Sequence, residues 1–362
     1  MPIKLTPVFA ITAEIATALM RIEAVKQAIQ DLPITPSLLM TLRETSRLFS
    51  THYSTMIEGN RLTQEEVERV VRKKEHFPGR ERDEKEVKGY YAALDYLEQL
   101  VIAEKPITEK VIQSLHAYVM HSGKVRIKPT PYRDGQNVIR DSSTRKIVYL
   151  PPEAKDVPQL MAALVMWIEE DRKLPPPLVA AISHYQFATI HPYYDGNGRT
   201  ARLLTTLVLH LRGYDLKGLY SLEEYYAKNL PAYYDALSIG SSHNYYLGRV
   251  EADITKWLEY FCLGMADSFE RVLARAKQEQ AVGAVDHSAK LRTLDTKQRK
   301  ALELFQKFEK VTAKQIGELF HFKPRTSSEI CHRWVNEGFL VIVDESKKGR
   351  TYKLAKKFSE LL

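Results

Sequence analysis

The stretch that decides the fold of this chain is His191-Pro192-Tyr193-Tyr194-Asp195-Gly196-Asn197-Gly198-Arg199-Thr200-Ala201-Arg202. It places a histidine, a carboxylate, a Gly-Asn-Gly turn and two arginines close together in the sequence. The apolar run 203–209 follows directly and predicts a buried helix whose N-terminus lies at the turn. Because the first amides of a helix are unpaired and lie at the positive end of its dipole, the turn predicts an anion site.

The side chains of this stretch suit the chemistry of phosphate transfer. Arg199 and Arg202 are three positions apart, so both rise from the first helical turn toward the same anion. Asp195 offers a hard oxygen ligand for Mg²⁺ beside a diphosphate. His191 is the one group of the set whose ordinary pKa lies near neutrality, which suits a general base. Together these groups predict nucleotidyl or phosphoryl transfer.

The same stretch resembles the signature of Fic-domain proteins. That signature is His-Pro-Phe, any residue, Asp or Glu, Gly-Asn-Gly-Arg, any two residues and Arg, and only Tyr193 departs from it, where Phe is usual. The aromatic side chain at this position normally points into the core, so we expect the extra hydroxyl to need a hydrogen-bond partner without changing the chemistry. The resemblance implies a mainly α fold, in which a small β-hairpin flap accompanies a helical core.

The resemblance also implies an activity, which is transfer of AMP from ATP to a Ser, Thr or Tyr hydroxyl of a target protein. His191 would deprotonate the hydroxyl, Asp195 would hold Mg²⁺ on the α- and β-phosphates, and Arg202 would clamp the γ-phosphate. The pyrophosphate portion and the developing charge would be stabilised by Arg199 and by the backbone amides of Gly196, Asn197 and Gly198.

Two other functions compete with this interpretation. One is a winged-helix DNA-binding regulator that senses nucleotide without significant transfer. The other is removal of AMP from modified proteins at the same site, by a water that a glutamate orients. A purely sensing domain would not need His191. The presence of the complete set of signature residues, His191, Asp195, Asn197, Arg199 and Arg202, therefore favours the adenylyltransferase.

A second motif, Ser54-Thr55-Met56-Ile57-Glu58-Gly59-Asn60, resembles the inhibitory motif of the family. Its position before the signature is typical of the subclass that carries its own inhibitory helix. Glu58 paired with Arg202 would occupy the place of the γ-phosphate and leave the α-phosphate poorly aligned for attack. Ser54 would hold the helix end. The alternative is an ordinary solvated acid before a Gly-Asn helix stop.

Two short β-rich runs, 137–140 and 146–150, flank a polar turn and predict a hairpin. In Fic proteins such a flap registers the target segment by strand addition, since main-chain hydrogen bonds do not depend on sequence. The resemblance assigns target docking to Val138, Ile139, Ile147 and Val148. A purely structural hairpin is the alternative.

An aromatic-rich stretch follows the helix of the signature. Its segment from Tyr233 resembles the one that lines the adenine pocket in Fic proteins. Tyr233 and Tyr234 are therefore candidates for stacking on the base, although tyrosines in this pattern also fill cores.

The composition predicts a cytoplasmic protein. None of the apolar runs approaches the roughly 20 residues that a membrane span needs, and the N-terminal segment lacks a signal-peptide pattern. Cys262 and Cys331, the two cysteines, lie in different regions and are expected to be free thiols.

The 362 residues have room for several domains. We expect an N-terminal helical region with the inhibitory helix at 1–104, a Fic catalytic core at 105–275, a linker at 276–290 and a winged helix-turn-helix domain at 291–362. The last assignment rests on predicted helices at 294–308, 312–320 and 324–337 and on predicted strands at 338–343 and 350–354.

Residues 291–362 carry most of the net positive charge of the chain. They contain 16 Lys and Arg against 9 Asp and Glu, a net charge of +7, whereas the whole chain carries +8. A basic winged helix suits DNA binding through its third helix and wing. Such domains also dock proteins or self-associate, so a homodimer and a DNA complex are both open as partners.

Overall fold

The computed structural model describes residues 5–32, 34, 36–121, 127–140, 147–240, 242–249, 251–281, 290, 293–344, 346 and 350–362. Within these residues the chain is mainly helical, as the sequence predicts. The chain divides into two compact units, which are Met1–Lys26 with Ser46–Glu270, and Gln27–Thr45 with Arg271–Leu362.

The first unit consists of helices and one small hairpin. Before the hairpin come α1 (Ala13–Asp31), α2 (Pro36–Ile57), α3 (Gln64–Arg72), α4 (Glu81–Ile102) and α5 (Glu109–Met120), of which α1 and α2 extend into the second unit. The hairpin strands are β1 (Ile139–Arg140) and β2 (Ile147–Tyr149). After it come α6 (Val157–Glu170), α7 (Pro176–Ile190), α8 (Asn197–Leu211), α9 (Leu222–Lys228), α10 (Leu230–Leu237) and α11 (Thr255–Ala281).

Helix α7 is the centre of this unit. Residues 177–187 are all buried, so the helix is enclosed on every side, as expected for a helix that is apolar all round. From α11, the Trp257 indole N–H donates to the Ala181 carbonyl at 2.7 Å. Helix α8 packs against α7, α5 and α4. The α7–α8 connection, which contains the signature, is therefore held between packed helices.

The second unit combines helices with a three-stranded sheet. Its elements after residue 290 are α12 (Thr296–Lys307), β3 (Val311–Thr312), α13 (Ala313–Phe320), α14 (Pro324–Asn336), β4 (Leu340–Asp344) and β5 (Thr351–Leu354). All strand pairs are antiparallel, and the order is β3-β5-β4. The three helices and two strands predicted here are confirmed to within about two residues. Strand β3 was not predicted, because two residues are too short for a period-2 pattern.

The boundaries between the predicted regions remain predictions. Helix α11 continues to Ala281, so the first six residues of the predicted linker are helical, and residues 282–289 lie outside the described residues. Residues 27–45, which the sequence analysis assigned to the N-terminal region, pack with 271–362.

Neither a membrane-spanning helix nor a disulfide is found in the described part of the chain. Its helices lack the combination of length and apolarity that a membrane crossing needs. Cys262 and Cys331 are free, as predicted, and both are buried.

Candidate active site

The loop between α7 and α8 depends on two residues with left-handed backbone conformations. His191 ends α7 with φ 52° and ψ 60°, and Gly196 precedes α8 with φ 75°. At Gly196 a side chain would also lack space, since a Cβ atom would lie 2.9 Å from the Met120 sulfur. The first residue of the Gly-Asn-Gly turn is therefore a glycine for both conformational and steric reasons.

The side chain of Asn197 closes the loop on itself. Its Oδ1 accepts from the Tyr193 amide at 2.9 Å, and its Nδ2 donates to the Tyr193 carbonyl at 2.7 Å. Asn197 is buried, so these bonds are shielded from water. The asparagine thus shapes the turn with its side chain and leaves only its backbone amide for an anion.

His116 on α5 supports the loop from below and was missed by the sequence analysis. Its Nε2 donates to the Asp195 carbonyl at 2.9 Å, and its ring stacks on Tyr193 with centroids 3.6 Å apart. Burial lowers the pKa of His116 to about 4, so the imidazole is neutral. His116 is 79 positions from Asp195 in the sequence, so no local pattern predicts this contact.

His191 is held as a neutral imidazole. Its Nδ1 lies 3.3 Å from the Ala188 carbonyl, an arrangement in which Nδ1 carries the proton and Nε2 keeps a lone pair. Burial lowers the pKa of His191 to about 4. The side chain therefore has the protonation state that a general base needs at neutral pH.

Arg133 fixes the backbone at His191 and was also missed as a site residue. Its Nε donates to the His191 carbonyl at 3.0 Å, and its backbone amide donates to the Pro192 carbonyl at 2.9 Å. Its remaining nitrogens donate to the carbonyls of Gly135 and Pro152. Arg133 is buried and thus ties the segment before the hairpin to the loop between α7 and α8.

The two arginines of the signature are buried, and their surroundings differ. Arg199 lies 3.3 Å from Asp195 Oδ1, and its Nε has no hydrogen-bond partner within the described residues. Arg202 donates from Nη2 to Glu58 Oε1, from Nη2 to the Ser54 carbonyl and from Nε to Ser54 Oγ, each at 2.8 Å. Although burial alone would lower the pKa of Arg202, the Glu58 carboxylate raises it.

Glu58 lies directly over the Gly-Asn-Gly turn. A Cβ atom on Gly198 would come within 2.3 Å of Glu58 Oε1. The carboxylate is therefore in contact with the backbone that the sequence predicts as an anion site, and it is also paired with Arg202. Both contacts are those that a phosphate oxygen would make there.

Asp195 lies at the mouth of the site with a side chain that is 57% exposed. Its Oδ1 accepts from the Gly196 amide at 2.6 Å. Around it, the described residues contain no group of three or more side chains arranged to hold a metal ion. A metal at Asp195 would therefore take most of its ligands from phosphates and water, which is the usual pattern for Mg²⁺.

The two runs predicted as a hairpin pair as antiparallel strands, with Ile139 opposite Tyr149. The turn between them, 141–146, lies outside the described residues. Ile147 and Val148 are 49% and 39% exposed, whereas Ile139, like Val138 just before it, is half-buried. The Tyr149 hydroxyl donates to the Thr189 carbonyl at 2.7 Å and fixes β2 to the end of α7.

Of the two tyrosines expected at an adenine pocket, only Tyr234 is accessible. The residue is 46% exposed, and its hydroxyl lies 3.4 Å from the Ile57 carbonyl, next to Glu58. Tyr233 is buried, and its hydroxyl is 2.9 Å from His184 Nε2. The expectation for Tyr233 is thus corrected, because a ring enclosed in the core cannot stack on a base.

The match to known families agrees with this geometry. Residues 106–209 match the model of the Fic/DOC family. This segment is therefore similar to a Fic domain. The matched segment contains His116, Arg133, the flap and the whole signature, whereas Glu58 and Tyr234 lie outside it.

Two curated relatives of the Fic domain share the name protein adenylyltransferase Fic. The one from Drosophila grimshawi is 32% identical over 166 residues, which is 45% of this chain and 33% of that protein. The one from Nematostella vectensis is 32% identical over 167 residues, which is 45% of this chain and 37% of that protein. The chain therefore spans about a third of the length of the curated relatives it matches.

Solved Fic structures share the fold. A Fic family protein from Desulfovibrio desulfuricans G20 has a TM-score of 0.61 at 22% identity, covering 97% of this chain and 98% of that one. Fic-1 from C. elegans has a TM-score of 0.58 at 22% identity and covers 73% of each chain.

Proposed function

We propose that this protein is an adenylyltransferase that transfers AMP from ATP to Ser, Thr or Tyr hydroxyls of target proteins. One observation carries the proposal: a neutral His191 adjoins a helix N-terminus with two buried arginines. The name shared by the curated relatives supports it.

The reaction is an in-line displacement at phosphorus. His191 Nε2 takes the proton of the target hydroxyl while that oxygen bonds to the α-phosphorus, and the bond from the α-phosphorus to the bridging oxygen breaks to release pyrophosphate. Arg199 and the amides of Gly196, Asn197 and Gly198 stabilise the charge on the leaving group. Arg202 binds the γ-phosphate once it is free of Glu58.

Asp195 suits Mg²⁺ as its single protein carboxylate, in the company of phosphate and water ligands. When bound, Mg²⁺ would neutralise charge on the α- and β-phosphates. The exposed carboxylate is the feature that supports this assignment.

We propose that Glu58 inhibits transfer. Its contacts with Arg202 and Gly198 place a carboxylate where phosphate charge belongs, so ATP bound beside it would have a displaced triphosphate. The proposal assigns this chain to the subclass with an N-terminal inhibitory helix, which here is α2.

Label transfer tests the activity and the inhibition together. Purified wild type, Glu58→Gly and His191→Ala would be incubated with Mg²⁺, cell lysate and ATP labelled in the α- or the γ-phosphate. Glu104→Gly is a matched control, since Glu104 is an exposed glutamate in the turn after α4. We expect protein labelling by the α-label alone, strongest for Glu58→Gly, unchanged in the control and absent for His191→Ala.

Other outcomes would point to other functions. Labelling from the γ-phosphate would mean phosphoryl transfer, and loss of label from pre-labelled protein would mean AMP removal. ATP binding without labelling by any variant would favour the nucleotide-sensing regulator.

For residues 291–362 we propose a winged-helix domain that docks protein or a second copy of the chain. The element order α12-β3-α13-α14-β4-β5 supports the fold. On α14, Arg325 and Arg333 pair with Glu329 and Glu337, which leaves little net charge for phosphates. The wing cations at 347–348 lie outside the described residues. DNA affinity that falls steeply with salt would overturn this choice.

A further inference from the structure

Helix α2 presents a polar face to the interior of the first unit. Ser46, Ser50, Ser54 and Glu58 follow one another at four-residue spacing and thus line one side of the helix, which we call the serine face. The three serines are buried. Ser46 Oγ donates to the Leu219 carbonyl at 2.7 Å. The helix that carries Glu58 is therefore docked here by directional hydrogen bonds.

The serine face meets a buried carboxylate on α9. Glu223 is 2% exposed, and its Oε2 accepts from the hydroxyls of Ser50 at 3.0 Å and Ser221 at 2.9 Å. Its Oε1 accepts from the Tyr90 hydroxyl at 2.9 Å. Within the described residues, Glu223 has no cation at ion-pair distance, so hydroxyl groups alone satisfy it.

Helix α2 connects Glu223 to Arg202 through two of its serines. Glu223 accepts from the Ser50 hydroxyl, and one helical turn later Ser54 Oγ accepts from Arg202 Nε. The Tyr90 hydroxyl donates to the other oxygen of Glu223. We call these hydrogen bonds the Glu223 relay.

We propose that Glu223 is a positioning residue for the phosphate site. Through Ser50 it fixes the position of α2 along its axis, and α2 in turn places Ser54, which accepts from Arg202 and orients its guanidinium. The relay thereby sets both how firmly Glu58 pairs with Arg202 and how well Arg202 meets a terminal phosphate. The regulatory part of this proposal rests on the proposed function.

The physical basis is that buried polar groups must remain satisfied. A movement of α2 that withdrew Glu58 would also remove Ser50 from Glu223 and Ser54 from Arg202, and unpaired buried groups are costly. Apolar packing tolerates small shifts, whereas a directional network has few arrangements that satisfy every member. The relay therefore favours discrete positions of α2.

Nucleotide binding tests this role without relying on catalysis. Ser50→Ala cuts the relay, and Glu223→Gln replaces its terminal carboxylate with an amide. Tyr90→Phe, which removes one of the hydroxyls that donate to Glu223, is the milder variant if Glu223→Gln does not fold. The control is Tyr214→Phe, because Tyr214 is a buried tyrosine that donates to Glu23 and has no contact with the relay. Each change would be made alone and with Glu58→Gly, and the Kd for ATP and for ADP would be measured by calorimetry, with Tm alongside.

We expect the ratio of ATP to ADP affinity to fall roughly fivefold when the relay is cut in the Glu58→Gly chain, because Arg202 no longer meets the γ-phosphate well. The gain in ATP affinity from Glu58→Gly should shrink by a similar factor. Tyr214→Phe should lower Tm and leave the ratio unchanged.

Two results would separate the proposals. Relay variants that lower Tm as the control does, with an unchanged ATP to ADP ratio, would overturn the positioning role even if Glu58→Gly transfers AMP. A shifted ratio in chains that never transfer AMP would support the relay and overturn the adenylyltransferase.

Discussion

At the scale of the residue, Tyr193 shows a cost of departing from the usual phenylalanine. Its ring is buried against His116, and its hydroxyl has no hydrogen-bond partner within the described residues. The expected partner for this hydroxyl is thus not found. An unpaired buried hydroxyl destabilises the folded state, because it has lost its bonds to water.

Tyr193→Phe should therefore raise the free energy of unfolding by about 1 kcal/mol. Tyr149→Phe is the matched control, since the Tyr149 hydroxyl is also buried but donates to Thr189, and its loss should lower the free energy of unfolding by a similar amount. Urea unfolding of the three chains measures both. Destabilisation by Tyr193→Phe would mean that the hydroxyl is satisfied by water.

Residue types whose roles are local could be predicted from the sequence, and the others could not. The Gly-Asn-Gly turn, Asp195 and the arginines lie within one short segment whose spacing alone indicates an anion site. Glu58 is 144 positions from Arg202, and only its resemblance to the inhibitory motif predicted that the two residues pair. His116 and Arg133 have common side chains and long-range contacts, so no local pattern distinguishes them.

At the scale of the element, aromatic patterns proved ambiguous. Tyr233 and Tyr234 are adjacent on α10, yet one faces the core and the other is accessible. Successive side chains on a helix point about 100° apart, and sequence alone does not show which of two adjacent tyrosines faces the site.

The flap offers a test at this scale. If β2 registers target segments by strand addition, its backbone matters more than its side chains. Val148→Thr should then change labelling of target protein less than twofold, whereas Val148→Pro, which removes an amide donor, should reduce labelling roughly tenfold or more. The Kd for ATP should stay the same in both. Equal loss in the two variants would indicate side-chain recognition.

At the scale of the whole molecule, buried histidines should make the first unit labile to acid. Burial lowers the pKa of His116 to about 4 and that of His184 to about 3. In the unfolded chain a histidine titrates near about 6.5. The folded state therefore resists protons that the unfolded state binds, so its stability is complete above about pH 6.5 and is lost as the pH falls toward 4.

Between pH 7 and pH 5, each of these two histidines should lower the free energy of unfolding by about 2 kcal/mol. His116→Gln keeps an amide donor for the Asp195 carbonyl and removes one titrating group. Below pH 6, the free energy of unfolding of this variant should therefore fall less steeply with pH than that of the parent, and the two slopes should differ by about 1.4 kcal/mol per pH unit. Ser114→Ala, a neutral change on the same helix, is the control.

Urea unfolding would be followed by the fluorescence of Trp167 and Trp257 in a Trp334→Phe background, so that the signal comes from the unit with the site. A His116→Gln slope equal to that of the parent would mean that folded His116 takes up a proton as readily as the unfolded chain. His116 would then not be a neutral imidazole beneath the loop between α7 and α8.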